Sequence, residues 1–213
     1  MPTGPDEFDL IRRHFDWAMR RPGVVLGVGD DAALIEPPPG TQTVISTDML
    51  IAGRHFPADT PPDAIAHKAL AVNLSDLAAM GATPLAFTLA LGLPAVDTDW
   101  LSSFSTSLRE VAGRWGCDLV GGDTVRAPCL TISITAIGTL PVGEAIRRGG
   151  ARVGDCLGVT GTIGDAALGL RLALGDGEVP PGLTQADRSH LLRRLERPQP
   201  LSLIHISEPT RPY

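Results

Sequence analysis

Lysine occurs once in the 213 residues, at Lys68, and the other members of the Lys and Arg set are all arginine. Because Lys68 follows His67, no G-x-x-x-x-G-K-[ST] loop exists, which excludes a P-loop nucleotide site. The Gly-rich loop of protein kinases is also missing. Cysteine is scarce: Cys117, Cys129 and Cys156 form no C-x-x-C pair, so neither a disulfide framework nor a zinc knuckle is expected. The five histidines contain no H-E-x-x-H and no H-x-H. Long uncharged apolar runs are absent, since Asn73, Asp76 and Pro84 break the best candidate, so no membrane span is expected. The start, "MPTGPDEFDL", has no apolar signal region, and the expectation is a soluble cytoplasmic protein. Bases are outnumbered 18 to 24, a net charge of −6, which disfavours a nucleic-acid binder with a basic face.

What is present is a 43% hydrophobic chain, enough for a core and against disorder. Residues 6–20 read as an amphipathic helix with Phe8, Ile11, Phe15 and Ala18 on one face. "VVLGVGDDAAL" reads as a strand entering a glycine turn, and "QTVISTDML" as a second strand. "PPDAIAHKALAVNLSDLAAMGA" opens with prolines suited to a first helical turn and stops at Gly81. "PLAFTLALGLP" reads as a buried strand and residues 99–115 as a helix with Leu101, Phe104, Leu108, Val111 and Trp115 inward. "CDLVGGDTV" reads as strand then turn, "LTISITAIGTL" as strand, and "CLGVTGTIGDAALGLRLALG" as strand, glycine turn and helix. Strands and helices do not alternate singly, so the expected class is α+β, a mixed sheet with flanking helices. A composition change near residues 141–154 is the candidate boundary between residues 1–140 and the start of a second α+β domain at 141–200, and the tail at 201–213 looks different again.

Three segments share a plan of apolar strand, small residues, then Asp: "GVGDD" (Asp30, Asp31), "ISTD" (Asp48) and "VGGD" (Asp123). Asp76 sits in an apolar helix three residues after Asn73, so the two share a face. Each Asp alone reads as a turn or cap residue. Several carboxylate sites with no interleaved lysine need a compensating charge, and Mg²⁺, a hard ion with oxygen ligands, suits them. Ser46 and Thr47 can add oxygen ligands. A divalent ion held by few carboxylates usually serves phosphates, so arginines such as Arg126, Arg147, Arg148 and Arg152 are candidate anion partners. The bland alternative for most of these arginines is a solvated surface.

"GVGDDAAL", "ISTDMLIAGRHF", "KALAVNLSDLAAMGATP" and "GGDTVR" together resemble the thiamine-monophosphate kinase family, among the aminoimidazole-ribonucleotide synthetase-like ATP-binding proteins. The resemblance covers roughly residues 6–200, in the motif-order sense of. It implies transfer of the ATP γ-phosphoryl to thiamine monophosphate, by direct in-line attack with several Mg²⁺ ions and without a catalytic protein nucleophile. It implies metal positions at Asp31, Ser46, Thr47, Asp48, Asp76 and Asp123, with Asp30 able to exchange roles with Asp31. It implies nucleotide contacts at Gly122, Asp123 and Arg148, with Arg147 fitting the same position. It implies a substrate contact at His55, which by itself reads as a half-buried loop histidine. It also implies a homodimer through the N-terminal domain.

Other expectations stand beside this one. The chain can be another ATP-using member of the superfamily, making aminoimidazole ribonucleotide or selenophosphate, or a non-catalytic module for metal and nucleotide. Family members continue through a second domain with a further "D-x-S-D-G" motif that this sequence lacks. The chain as written is therefore expected to be an incomplete copy and a poor catalyst. The last stretch, "LSLIHISEPTRPY", continues no pattern before it and reads as a non-native tail.

Overall fold

The computed structural model describes residues 7–176 and 178–201. The tail from residue 202 onward lies outside the described residues. The elements, in chain order, are α1 (Glu7–His14), β1 (Val24–Leu26), β2 (Leu34–Ile35), β3 (Thr41–Ile51), α2 (Pro62–Ala79), β4 (Thr83–Leu93), α3 (Thr98–Trp115), β5 (Asp118–Arg126), β6 (Thr131–Pro141), a 3-10 turn (Arg148–Gly150), α4 (Asp165–Leu174) and α5 (Gln185–Glu196). The class is α+β.

Four strands form a mixed sheet in the order β3-β6-β4-β5. β6 runs antiparallel to both β3 and β4, whereas β4 and β5 are parallel, joined by the crossover helix α3. α2 and α3 cover one face. Along β6 the even residues Ile132, Ile134, Ala136 and Leu140 are buried beneath them and the odd ones from Thr131 to Thr139 only half-buried, the period-two signature of a sheet with one covered face. The main core joins these residues to Leu70, Leu74, Leu77, Phe87, Leu91, Phe104 and Leu108. The other face carries a smaller cluster of Val24, Leu85, Ala86 and Val120 beside the β1–β2 ribbon. Farther along, Ile45 and Met49 of β3 and Val125 of β5 stay exposed.

Helix ends follow local rules. α2 has Pro61 at its N-cap and Pro62 inside its first turn, and Gly81 follows its end at φ 78°. α3 is capped by Asp97, whose carboxylate accepts from the amides of Asp99 and Trp100, and closed by Gly116 in the left-handed region.

Three expectations change. The first helix stops at His14 rather than residue 20, and Ala18 is exposed. The chain turns away there, and the amides of Arg20 and Arg21 both donate to the buried Asp118 carboxylate at 2.7 Å. "VGGD" is not a turn: Gly121 to Asp123 stay in β5 beside β4, with a register shift at Phe87/Thr88. Residues 156–160 form no strand, and Leu157 is 98% exposed. The helix expected after them does form as α4. It packs on α5, where Gly169 lets the Leu191 carbonyl approach. Asp165, at the start of α4, faces Thr162, His190 and Arg194; its carboxyl is held below the usual range first by the Thr162 hydroxyl, then by His190 and Arg194.

Candidate functional site

α2 runs back along β3, and three polar side chains of the helix meet the strand and the loop after it. Lys68 Nζ donates to the His55 carbonyl at 3.0 Å. Asn73 Oδ1 accepts from the Asp48 amide at 3.0 Å. The Ser46 hydroxyl donates to Asp76 Oδ2 at 2.6 Å. Helix positions 68, 73 and 76 thus meet chain positions 55, 48 and 46, the descending order of two antiparallel elements. The result gathers Ser46, Asp48 and Asp76 at one edge of the sheet. Asp76 is exposed, not buried among its apolar neighbours, so its charge is met by water and by Ser46.

His55 is exposed on the turn after β3, where Gly53 adopts φ 75°. The Ile51 amide donates to His55 Nδ1 at 3.0 Å. In the neutral ring that makes Nδ1 the acceptor, so Nε2 carries the proton and is the ring's donor. Burial lowers the Lys68 ammonium below its ordinary pKa, with Glu196 opposing. The only lysine of the chain therefore holds the loop that carries His55.

A second group lies at the other edge. Asp30, Asp31, Gly122 and Asp123 line a cleft of about 350 Å³ whose apolar side is made by Phe15, Leu89 and Leu119. The Asp31 amide donates to Asp30 Oδ1 at 2.8 Å. Glycine is required at Gly122 by packing as well: a Cβ there would sit 1.9 Å from the Leu89 carbonyl oxygen.

The two groups are separate within one chain. The paired row Asp48, Ile134, Leu89, Gly122 crosses the whole sheet. Three strand spacings of about 4.8 Å put its ends about 14 Å apart. Among the described residues, no three or more His, Cys, Asp or Glu side chains are gathered closely enough to hold a metal ion by themselves. Asp31, Asp48, Asp76 and Asp123 therefore divide two and two. Thr47 faces the other side of β3 from Ser46 and Asp48, and its hydroxyl lies 2.9 Å from that of Thr135. Arg147 and Arg148 are exposed just after Ile146, whose amide donates to the Met80 carbonyl. That bond tethers the arginine pair near the end of α2 that carries Asp76.

Sequence reasoning placed Asn73 on the Asp76 face without giving it a task, and gave Lys68 none. The signals were present as the N-x-x-D spacing and the isolated lysine. Their partners, in β3 and the loop after it, become visible only in the fold.

Comparison with known proteins gives a consistent picture. The family description "AIR synthase related protein, N-terminal domain" matches residues 29–140. The chain is 48% identical over 200 residues to thiamine-monophosphate kinase of Escherichia coli (strain K12), covering 91% of this chain and 59% of that protein. Its fold resembles the crystal structure of thiamine-monophosphate kinase from Stenotrophomonas maltophilia K279a, with TM-score 0.79 and 44% identity over 88% of this chain and 60% of that one. It also resembles AaThiL complexed with AMPPCP and TMP, with TM-score 0.68 and 29% identity over 91% of this chain and 58% of that one. The chain thus spans about three fifths of the length of the relatives it matches, 59% for the first.

Proposed function

From a chain that belongs to the AIR synthase related proteins, carrying their N-terminal domain at residues 29–140, we propose a part in ATP-dependent phosphorylation of thiamine monophosphate to thiamine diphosphate. One observation carries this reading: both oxygen-rich groups, Ser46/Asp48/Asp76 and Asp30/Asp31/Asp123, fall inside that domain. The thiamine-monophosphate kinase likeness and the AMPPCP and TMP bound to AaThiL support the substrates.

A phosphate oxygen of thiamine monophosphate attacks the γ-phosphorus of ATP, the bond to the bridging β–γ oxygen breaks, and ADP leaves. Such transfer needs positioning and electrostatics rather than a protein nucleophile. His55 Nε2–H offers a donor to the substrate. Arg148, or Arg147 beside it, offers charge to the nucleotide, and Gly122 and Asp123 border the cleft that suits it. The donor set fits Mg²⁺: hard oxygens in twos and threes match an ion that takes one or two carboxylates and completes its shell with phosphates and water. Separate ions would be held by the two groups, Asp48 and Asp76 with Ser46 at one edge and Asp31 and Asp123 at the other, with Asp30 as an alternate to Asp31; Thr47, on the far face, fits least. When bound, Mg²⁺ supplies neutralisation of the polyphosphate charge.

The uncovered sheet face supports a homodimer, since Ile45 at 65%, Met49 at 52% and Val125 at 52% exposed give a second copy an apolar surface. A stable monomer in sedimentation at micromolar concentration would remove that part. Among the described residues no helix is long and apolar enough to cross a membrane, and we place the chain in the cytoplasm with its water-soluble substrates.

The test is thiamine diphosphate formation by the 213-residue chain and by the same chain continued with the remainder of the Escherichia coli relative. The continued protein is expected to turn over with Mg²⁺ and ATP, and Asp76→Ala is expected to lower that rate at least tenfold. No product from the continued protein would overturn the reading.

A further inference from the structure

Asn73 is 1% exposed, the most buried polar side chain near the candidate site. Burying a primary amide is costly unless its groups are paired. Here Nδ2 donates to the Ala69 carbonyl one turn back at 3.0 Å, and Oδ1 accepts the Asp48 amide at 3.0 Å. The first bond holds the side-chain amide against its own helix. The second crosses to β3, an edge strand of the sheet.

That crossing has a consequence for the carboxylates on either side. Asp48 receives its backbone restraint from Asn73, and Asp76 sits three residues on along the same helix. Ser46, two residues before Asp48 on the same strand, bonds Asp76. Asn73, Asp48, Ser46 and Asp76 therefore close a loop of contacts between one helix and one strand, with Asn73 its buried member. We infer that Asn73 is a positioning residue, holding the Asp48 and Asp76 carboxylates at the mutual spacing that receives a cation–phosphate ligand. The inference rests on the function proposed above and adds a residue that touches neither substrate nor cation. A role limited to stability predicts that replacing Asn73 lowers the melting temperature alone. Positioning predicts that cation-dependent binding falls in protein that is still folded.

The experiment uses the 213-residue chain, Asn73→Ala and Asn73→Asp, at a temperature where circular dichroism shows each folded. Amide exchange by NMR without ligand reads the Asp48 amide, and calorimetry reads AMPPCP binding with Mg²⁺ and with EDTA. Asn73→Ala is expected to speed exchange at Asp48 at least tenfold and to weaken Mg²⁺-dependent AMPPCP binding about tenfold, with EDTA binding unchanged. Asn73→Asp keeps the acceptor oxygen and is expected to restore Asp48 protection to within threefold; it carries the test if Asn73→Ala does not fold. Unchanged Asp48 exchange, or faster exchange with undiminished Mg²⁺-dependent binding, overturns the inference. If the unmodified chain shows no Mg²⁺-dependent binding, the inference is overturned for this chain, whereas the functional reading is decided separately by product formation in the continued protein.

Discussion

Strand β4, "TPLAFTLALGL", and residues 156–163, "CLGVTGTI", are both short apolar runs punctuated by small residues. In β4, Phe87 is fully buried and Leu91 is 1% exposed. In the second run Leu157 is 98% and Ile163 83% exposed, and no strand forms. β4 has β6 on one edge, β5 on the other and helices over one face. Residues 156–160 find no strand among the described residues to complete their backbone hydrogen bonds. The difference teaches that apolar content sets the tendency of a segment and ladder partners decide it. The same division holds more broadly: among the described residues, Leu191 is the only buried hydrophobic one beyond residue 140.

The largest effect that sharpens this comparison is expected for Phe87→Ala, a cavity in the main core worth about 3–5 kcal/mol in urea unfolding. A loss under 1 kcal/mol would mean that β4 is no more essential than the exposed run.

Next come two glycines, one in each region, where a Cβ would strike a backbone carbonyl: Gly122 at 1.9 Å from Leu89 and Gly169 at 2.3 Å from Leu191. Gly122→Ala is expected to cost roughly 1–3 kcal/mol or more of global stability. Gly169→Ala is expected to separate α4 from α5 and raise proteolysis within 165–196, leaving the urea midpoint of the sheet unchanged. Equal global losses would show that the two regions unfold as one.

A smaller effect is expected where the regions touch. His67 on α2 is 4% exposed, its Nε2 is 2.9 Å from the Pro198 carbonyl, and Arg197 pairs with Asp63. Burial, first, then Arg197 and Arg114 lower the His67 pKa from its ordinary 6.5, while the Pro198 bond opposes. The released or unfolded chain therefore binds the proton more readily. The contribution of His67 to docking is complete above pH 6.5 and is lost as pH falls below it, by at most about 1.4 kcal/mol per pH unit for one proton. Proteolysis between residues 176 and 200, followed from pH 8 to 5, should speed up on acidification, and His67→Gln should flatten the profile. An unchanged slope in His67→Gln would assign the dependence elsewhere. The Arg197–Asp63 pair is partly exposed, so Arg197→Ala should cost under about 1 kcal/mol. The smallest effect is expected for Leu157→Ser, within about 0.5 kcal/mol by the same urea measurement; a larger loss would show that the run is packed in solution.

Local chemistry written in the residues determined much of this protein. Pro61, Pro62 and Gly81 bound α2, the Asp97 cap and Gly116 bound α3, and alternation along "TISITAIGTL" marks a strand with one covered face. The motifs around Asp31, Asp48, Asp76 and Asp123 raised the expectation of phosphate and metal chemistry before any fold was known. These signals are legible because caps, turns and periodicity act within a few residues. Tertiary structure decided what depends on distant partners: that β6 lies between β3 and β4, that the carboxylates divide between two sheet edges, and that Asp76 is exposed with Ser46 at its side. It alone gave Lys68 and Asn73 their tasks and left residues 156–160 outside any sheet. The physical reason is common to all of these: a hydrogen bond or a buried contact needs two ends, and here the second end lies far along the chain.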